Sequence, residues 1–148
     1  MVDSVEKGTR AENVIKDTLK KLTKLDWTRT PGSGALDPKH LLKGDLYVPG
    51  KENVFCIECK HYKEDQFTSK IFTSKSPMIF QWWEQAERQG KQVNRKPLLI
   101  FKYDRSKLFV AFADIPFSTE LKYVSVFDMF YISLLEDWII HEEPKFIL

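Results

Sequence analysis

Gly44-Asp45-Leu46-Tyr47-Val48, a Pro49-Gly50 turn and Val54-Phe55-Cys56-Ile57-Glu58-Cys59-Lys60 read as a β-hairpin with two carboxylates and a lysine set into strands that should be buried. Side chains alternate along a strand, so Glu58 and Lys60 share one face while Phe55, Ile57 and Cys59 share the other and face the core. If the chain reverses over residues 50–53, Asp45 falls opposite Ile57 or Glu58, where cross-strand Cβ atoms lie roughly 4.5–8 Å apart. Two carboxylates packed that closely repel, and one pKa must rise unless a hard divalent cation with oxygen ligands accepts both. Mg²⁺, or Mn²⁺ in its place, suits such a site. The alternative leaves Asp45 as a turn residue and Glu58 with Lys60 as an exposed edge-strand ion pair.

The rest of the chain gives this hairpin an α/β context. Ala11, Val14, Ile15, Leu19 and Leu22 recur at helical spacing and predict an amphipathic helix from about residue 8 to 25. A short strand over 27–30 ends at Pro31, and Pro31-Gly32-Ser33-Gly34 opens a loop to Lys43. Residues 61–77 read as a long loop. Met78, Ile79, Trp82, Trp83 and Ala86 give a second helix on which Trp82 and Trp83 diverge, one toward the core and the other toward an interface or DNA. Strands over 98–103 and 108–113, a strand near 123–127 and an apolar helix from about 128 to 140 follow. That last helix either packs on the sheet or supplies a dimer interface.

The 148 residues, 43% of them hydrophobic, suffice for one domain with a core. We expect a single domain over 1–148, with a strand-helix extension from about 121 to 148. The formal net charge of +2 is too small to announce nucleic-acid binding, so a DNA surface must come from local clustering. Two cysteines and no N-terminal apolar run of signal or membrane-spanning length predict a cytoplasmic protein with no membrane partner. Cys56 and Cys59 form a C-x-x-C, but with no second pair at zinc spacing they read as buried structural cysteines. His40, His61 and His141 stand without ligand spacing and read as surface or loop residues, with His61 of interest because it follows Lys60.

Lys7-Gly8-Thr9-Arg10-Ala11-Glu12 opening a helix, then Trp27-Thr28-Arg29-Thr30-Pro31-Gly32-Ser33-Gly34, then Asp45, then Ile57-Glu58-Cys59-Lys60, with a Gln-rich helix and the apolar strand Pro97–Lys102 downstream, form a four-part combination. In this order the chain resembles the PD-(D/E)XK nuclease superfamily, and within it the archaeal-type Holliday junction resolvases also found in some phages. The resemblance extends to about Phe112. The chain departs from the family pattern at Gly44, where a proline precedes the aspartate, and in the longer stretch 35–43.

The resemblance implies a restriction-endonuclease-like core, a central mixed β-sheet flanked by helices. It implies metal ligation by Asp45, Glu58 and the backbone carbonyl of Cys59, with Lys60 orienting or activating the attacking water and offsetting phosphate charge. Glu12 corresponds to the helix carboxylate that completes such sites, as a supporting group or a ligand of another cation. Its other reading is a helix N-terminal acid favoured by the macrodipole. Superfamily members often carry a glutamine on the second helix. Gln85 is the best match and Gln81 the next, while Gln89 reads as solvated. Arg29 and Ser33 match a basic residue and a serine-bearing loop that touch the DNA backbone, and Lys7, Lys63, Lys70 and Lys75 extend a basic track.

The implied reaction is hydrolysis of a phosphodiester with one or two Mg²⁺ ions and no organic cofactor, giving a 5′-phosphate and a 3′-hydroxyl. The implied substrate is a four-way DNA junction nicked at paired positions by a homodimer. A restriction, repair or genome-processing nuclease would keep the site and change the substrate. A non-catalytic DNA-binding domain would keep only the fold, and a non-enzymatic interaction domain is the remotest reading.

Overall fold

Ala11, Ile15 and Leu19, four residues apart, place one buried stripe on the first helix, α1 (Ser4–Thr23). The computed structural model describes residues 4–31, 43–65 and 67–148. The helix ends as Lys24 turns left-handed (φ 61°) and returns its N–H to Lys20 O. The Thr23 hydroxyl then accepts the Trp27 indole N–H at 2.8 Å and fixes a tryptophan that meets Phe146 edge-on in the core. Val14, expected on the apolar face, is exposed, so the stripe is narrower than its spacing suggests.

The strands are β1 (Thr28–Arg29), β2 (Leu46–Tyr47), β3 (Phe55–Tyr62), β4 (Lys96–Tyr103), β5 (Phe109–Phe112), β6 (Val124–Val126) and β7 (Phe130–Leu134). They form one sheet in the order β1-β2-β3-β4-β5-β7-β6, in which β3 and β4 run parallel and every other neighbouring pair antiparallel. Helices cover both faces. On one side α1 and α4 (Leu135–Glu142) enclose Ile57, Cys59, Leu98, Ile100, Val110 and Phe112 with Trp138 and Phe146. On the other, α3 (Met78–Gln92) and the single turn α2 (Lys70–Thr73) cover Leu99, Phe101, Ala111, Phe130 and Ile132. This is a restriction-endonuclease-like α/β fold. Cys56 and Cys59 are free, buried thiols.

Three expectations change. The segment 128–134 is turn and strand, because Phe127 and Asp128 are both left-handed (φ 49° and 57°) and no right-handed helix continues through them. Met129 N–H closes this turn on Val126 O, and α4 starts only at Leu135. Leu135 and Trp138 then bury α4 on its own sheet, with Ile140 left exposed. Residues 61–77 are not wholly loop, since β3 runs on to Tyr62 and α2 lies within. Trp82 and Trp83 are both buried: Trp82 packs on Tyr62 and Phe101, and Trp83 stacks on Phe130. The sheet beneath α3 is broad enough to take both directions.

Ser33 lies outside the described residues, as does most of the stretch 35–43, and nothing is described of the Lys7 side chain. Among the described residues no helix is long and apolar enough to cross a membrane.

Candidate active site

Leu46 pairs with Ile57, which sets Asp45 beside Glu58, and Asp45 N–H donates to Ile57 O at 2.6 Å. β2 lasts only two residues, so the edge of β3 that it leaves is taken up by the Asp45 side chain. Oδ2 of Asp45 accepts the Cys59 N–H at 2.7 Å. The N–H and C=O of one strand residue point to the same edge, so the Cys59 carbonyl emerges beside the Asp45 carboxylate. Glu58 and Lys60 alternate to the other face, toward α3, because their β4 partners are Leu99 and Phe101.

Gly44 makes this approach possible. Its φ is +85°, and a Cβ there would stand 2.8 Å from Ile57 O and 3.0 Å from Ile57 N. Its N–H donates to Gln89 Oε1 at 3.1 Å, which ties α3 to the start of β2. Proline could supply neither the left-handed backbone nor the donor. Gln89, expected to be solvated, is therefore a half-buried brace for the aspartate strand. Its only sequence signal was the four-residue spacing from Gln85.

A cleft of about 410 Å³ opens where β2 stops, lined by Gly8, Ala11 and Glu12 of α1, by Asp45, by β3 from Glu58 to Tyr62, and by Gln85 of α3. All five residues expected to be catalytic thus border one space. Gln81 does not, being exposed and donating to Ser76 O at the start of α3. Arg29 Nε donates to Glu12 Oε2 at 2.8 Å, and Nη2 reaches Thr9 Oγ1 at 3.4 Å. The basic residue expected on phosphate is thus also the partner that orients Glu12. Lys63, Lys70 and Lys75 are exposed on the segment after β3. His61, read as surface or loop, is a β3 residue whose Nε2 lies 2.8 Å from Asp104 Oδ1. A second cleft, about 440 Å³ between the end of β5 and α4, is lined largely by apolar side chains. Its carboxylates are occupied, Asp114 by Lys96 and Glu142 by the Phe117 and Ser118 N–H groups.

Burial dominates the electrostatics of the first cleft. Glu58 is only 3% exposed, and desolvation followed by the charge of Asp45 pushes its carboxyl up to about 8. Desolvation raises Asp45 to about 6, opposed by the Cys59 N–H and reinforced by Glu12. The two carboxyls face each other across the β2–β3 pairing and perturb one another, so in the absence of a cation one of them holds a proton near neutrality. Among the described residues no group of three or more His, Cys, Asp or Glu side chains forms a metal cage. Two carboxylates that repel when both are charged, beside a backbone carbonyl, nonetheless fit Mg²⁺. That ion is bound through one or two carboxylates and keeps several waters.

The raised pKa values fix a sign for stability. Between about pH 4 and pH 8 the folded chain holds protons that the unfolded chain has released, so stability falls as pH rises through that window. Melting in chelator should therefore give a lower Tm at pH 8.5 than at pH 5, and Glu58→Gln should flatten the difference. A wild-type Tm that rises over this range would contradict the assignment of a shared proton.

A family model described as "Phage putative PDDEXK endonuclease" matches residues 3–137. Protein D14 of Escherichia phage T5 is 45% identical over 113 residues, which cover 74% of this chain and 71% of that relative.

Proposed function

The chain belongs to this phage PDDEXK endonuclease family, and we propose that it is a Mg²⁺-dependent, structure-selective endodeoxyribonuclease that nicks four-way junctions as a homodimer. The observation that carries the catalytic part is the joint placement of Asp45, Glu58 and Lys60 on one cleft, with Glu58 buried and set opposite Asp45 in the β2–β3 register. A carboxylate pair with raised pKa values, one member buried and the other half-buried, beside a lysine on the same strand face, is costly to maintain unless a cation and a phosphate use it. Mn²⁺ should substitute, since both ions favour oxygen ligands.

In this reading Asp45, Glu58 and the Cys59 carbonyl hold the metal, which when bound supplies charge neutralisation on the phosphate and a more acidic water. Lys60 projects from the same face of β3 as Glu58 and orients the attacking water against the phosphorus, its ammonium offsetting charge that develops on the phosphoryl oxygens. Gln85, across the cleft on α3, gives that water a second hydrogen-bonding partner. Arg29, paired with Glu12, limits how much negative charge the site presents when empty, and Glu12 is the group best placed to support a second cation. Arg29 retains donors beyond those on Glu12 and Thr9 and, with Lys7, Lys63, Lys70, Lys75 and Ser33, provides the phosphate track. The products are a 5′-phosphate and a 3′-hydroxyl, and the setting is the cytoplasm of the host cell.

The junction preference and the dimer rest on the resemblance to archaeal-type resolvases. They are tested by cleavage of a four-way junction, a linear duplex and a single strand at equal protein, with light scattering at the same concentration. We expect paired nicks at symmetry-related positions, Mg²⁺ dependence, a dimer mass, and binding without efficient cutting in Ca²⁺. A monomer that cuts linear duplex as fast as the junction would replace this substrate with a general endonuclease role in phage genome processing.

A further inference from the structure

Glu58, Lys60 and Tyr62 are alternate residues of one strand, so the tyrosine ring continues the line of the two proposed active-site side chains. It lies about 7 Å beyond Lys60 at roughly 3.3 Å per residue, a distance an extended nucleotide spans between its phosphate and its base. Tyr62 lines the same cleft. It does so as the last ring of an aromatic chain: Tyr62 lies tilted against Trp82 with centroids 4.8 Å apart, Trp82 tilted against Phe101 at 6.0 Å, and Phe101 stacked on Phe109 at 5.3 Å. Trp82 and Phe101 are buried, so Tyr62 is backed by rigid core, yet 37% of the residue remains exposed. A flat ring held from behind and open at the mouth of a polar cleft is a surface on which another flat ring stacks.

We propose that Tyr62 is a stacking platform for one unpaired nucleobase next to the scissile phosphate, which makes DNA frayed or branched at the cut the preferred substrate. This rests on the cleft being the nuclease site and adds a reason for structure selectivity that lies within one protomer. A base inside a duplex has both faces covered by its neighbours, whereas a base at a branch point or frayed end offers a free face. Stacking on an aromatic side chain tolerates any base, so the platform reads pairing state and not sequence. Lys60 meets the phosphate while Tyr62 meets the base, and both are engaged together only when the nucleotide is splayed out of the helix.

The test uses the full chain in Ca²⁺ with a four-way junction and a forked duplex carrying 2-aminopurine at successive positions across the branch, and a fully paired duplex with the same label. Wild type should quench the fluorophore at one branch position beyond the level in free DNA, and Tyr62→Phe should do the same. Tyr62→Leu, which keeps the packing on Trp82 but loses the flat ring, should not. With Mg²⁺, the ratio of cleavage on branched over fully paired DNA should fall about tenfold in Tyr62→Leu and recover in Tyr62→Phe, in keeping with the loss of one stacked base. Quenching in Tyr62→Leu equal to wild type, with a ratio unchanged within twofold, overturns the platform and leaves the nuclease assignment standing. Quenching lost in Tyr62→Leu while no DNA is cut by wild type supports the platform and removes the nuclease assignment.

Discussion

Glu58→Gln and Asp45→Asn should each lower Mg²⁺-dependent cleavage at least about 1000-fold, some 4 kcal/mol of activation free energy, while leaving DNA binding intact or stronger. Each change keeps the shape and removes one anionic oxygen. In Asp45→Asn the amide carbonyl still accepts the Cys59 N–H that Asp45 Oδ2 now accepts at 2.7 Å, so the strand edge stays satisfied. The same substitutions should raise the Tm of the metal-free protein above neutral pH, because they remove a buried charge that burial and its neighbour disfavour. Lost activity with gained stability separates a functional pair from a structural one, since a fold-supporting group lowers both when it is removed. Cleavage within tenfold of wild type would end the assignment.

Gly44→Ala should cost about 3 kcal/mol, of which roughly 1–2 kcal/mol is the left-handed backbone and the rest the collision with Ile57. For a domain of this size that is a fall in Tm of roughly 6–12 °C. Gly50→Ala is the control. Gly50 is also left-handed (φ +72°), but no atom lies within 4 Å of the added Cβ, so only the backbone cost applies. The Gly44 variant should also lose cleavage at temperatures where it remains folded, because Asp45 is the next residue and moves with it. Equal losses of stability in the two variants would mean that the close approach to β3 contributes nothing.

The hairpin was legible because charged residues stand out in an apolar strand, and alternation assigns their faces without further information. Asp45 beside Glu58 follows from the Leu46–Ile57 register, one of the two that the turn had left open. The apolar run over 128–140 was ambiguous because helix and buried strand look alike over such lengths. The decisive feature, two consecutive left-handed residues at Phe127 and Asp128, leaves only a weak signature, since aspartate visits that region readily but nothing in a phenylalanine announces it. The Arg29–Glu12 pair and the Gly44–Gln89 bond were hidden for another reason. Each joins elements far apart in sequence, and only the packing of α1 and α3 around the hairpin brings the partners within reach.

The parallel pairing of β3 and β4 sets the order in which the cleft is assembled as the chain folds. Contact between Leu46 and Ile57 closes a short loop, whereas contact between Ile57 and Leu98 must gather in the whole crossover that contains α2 and α3. Each doubling of a loop adds about 0.6 kcal/mol of closure entropy, and pairings of large sequence separation slow the search. The wall carrying Asp45, Glu58 and Lys60 should therefore form first, and the wall carrying Gln85, Gln89 and Trp82 later, an order that amide-exchange labelling during refolding would check. Desolvation is the largest cause of the raised pKa values of both carboxyls, so docking of the second wall is the step expected to impose their mutual strain.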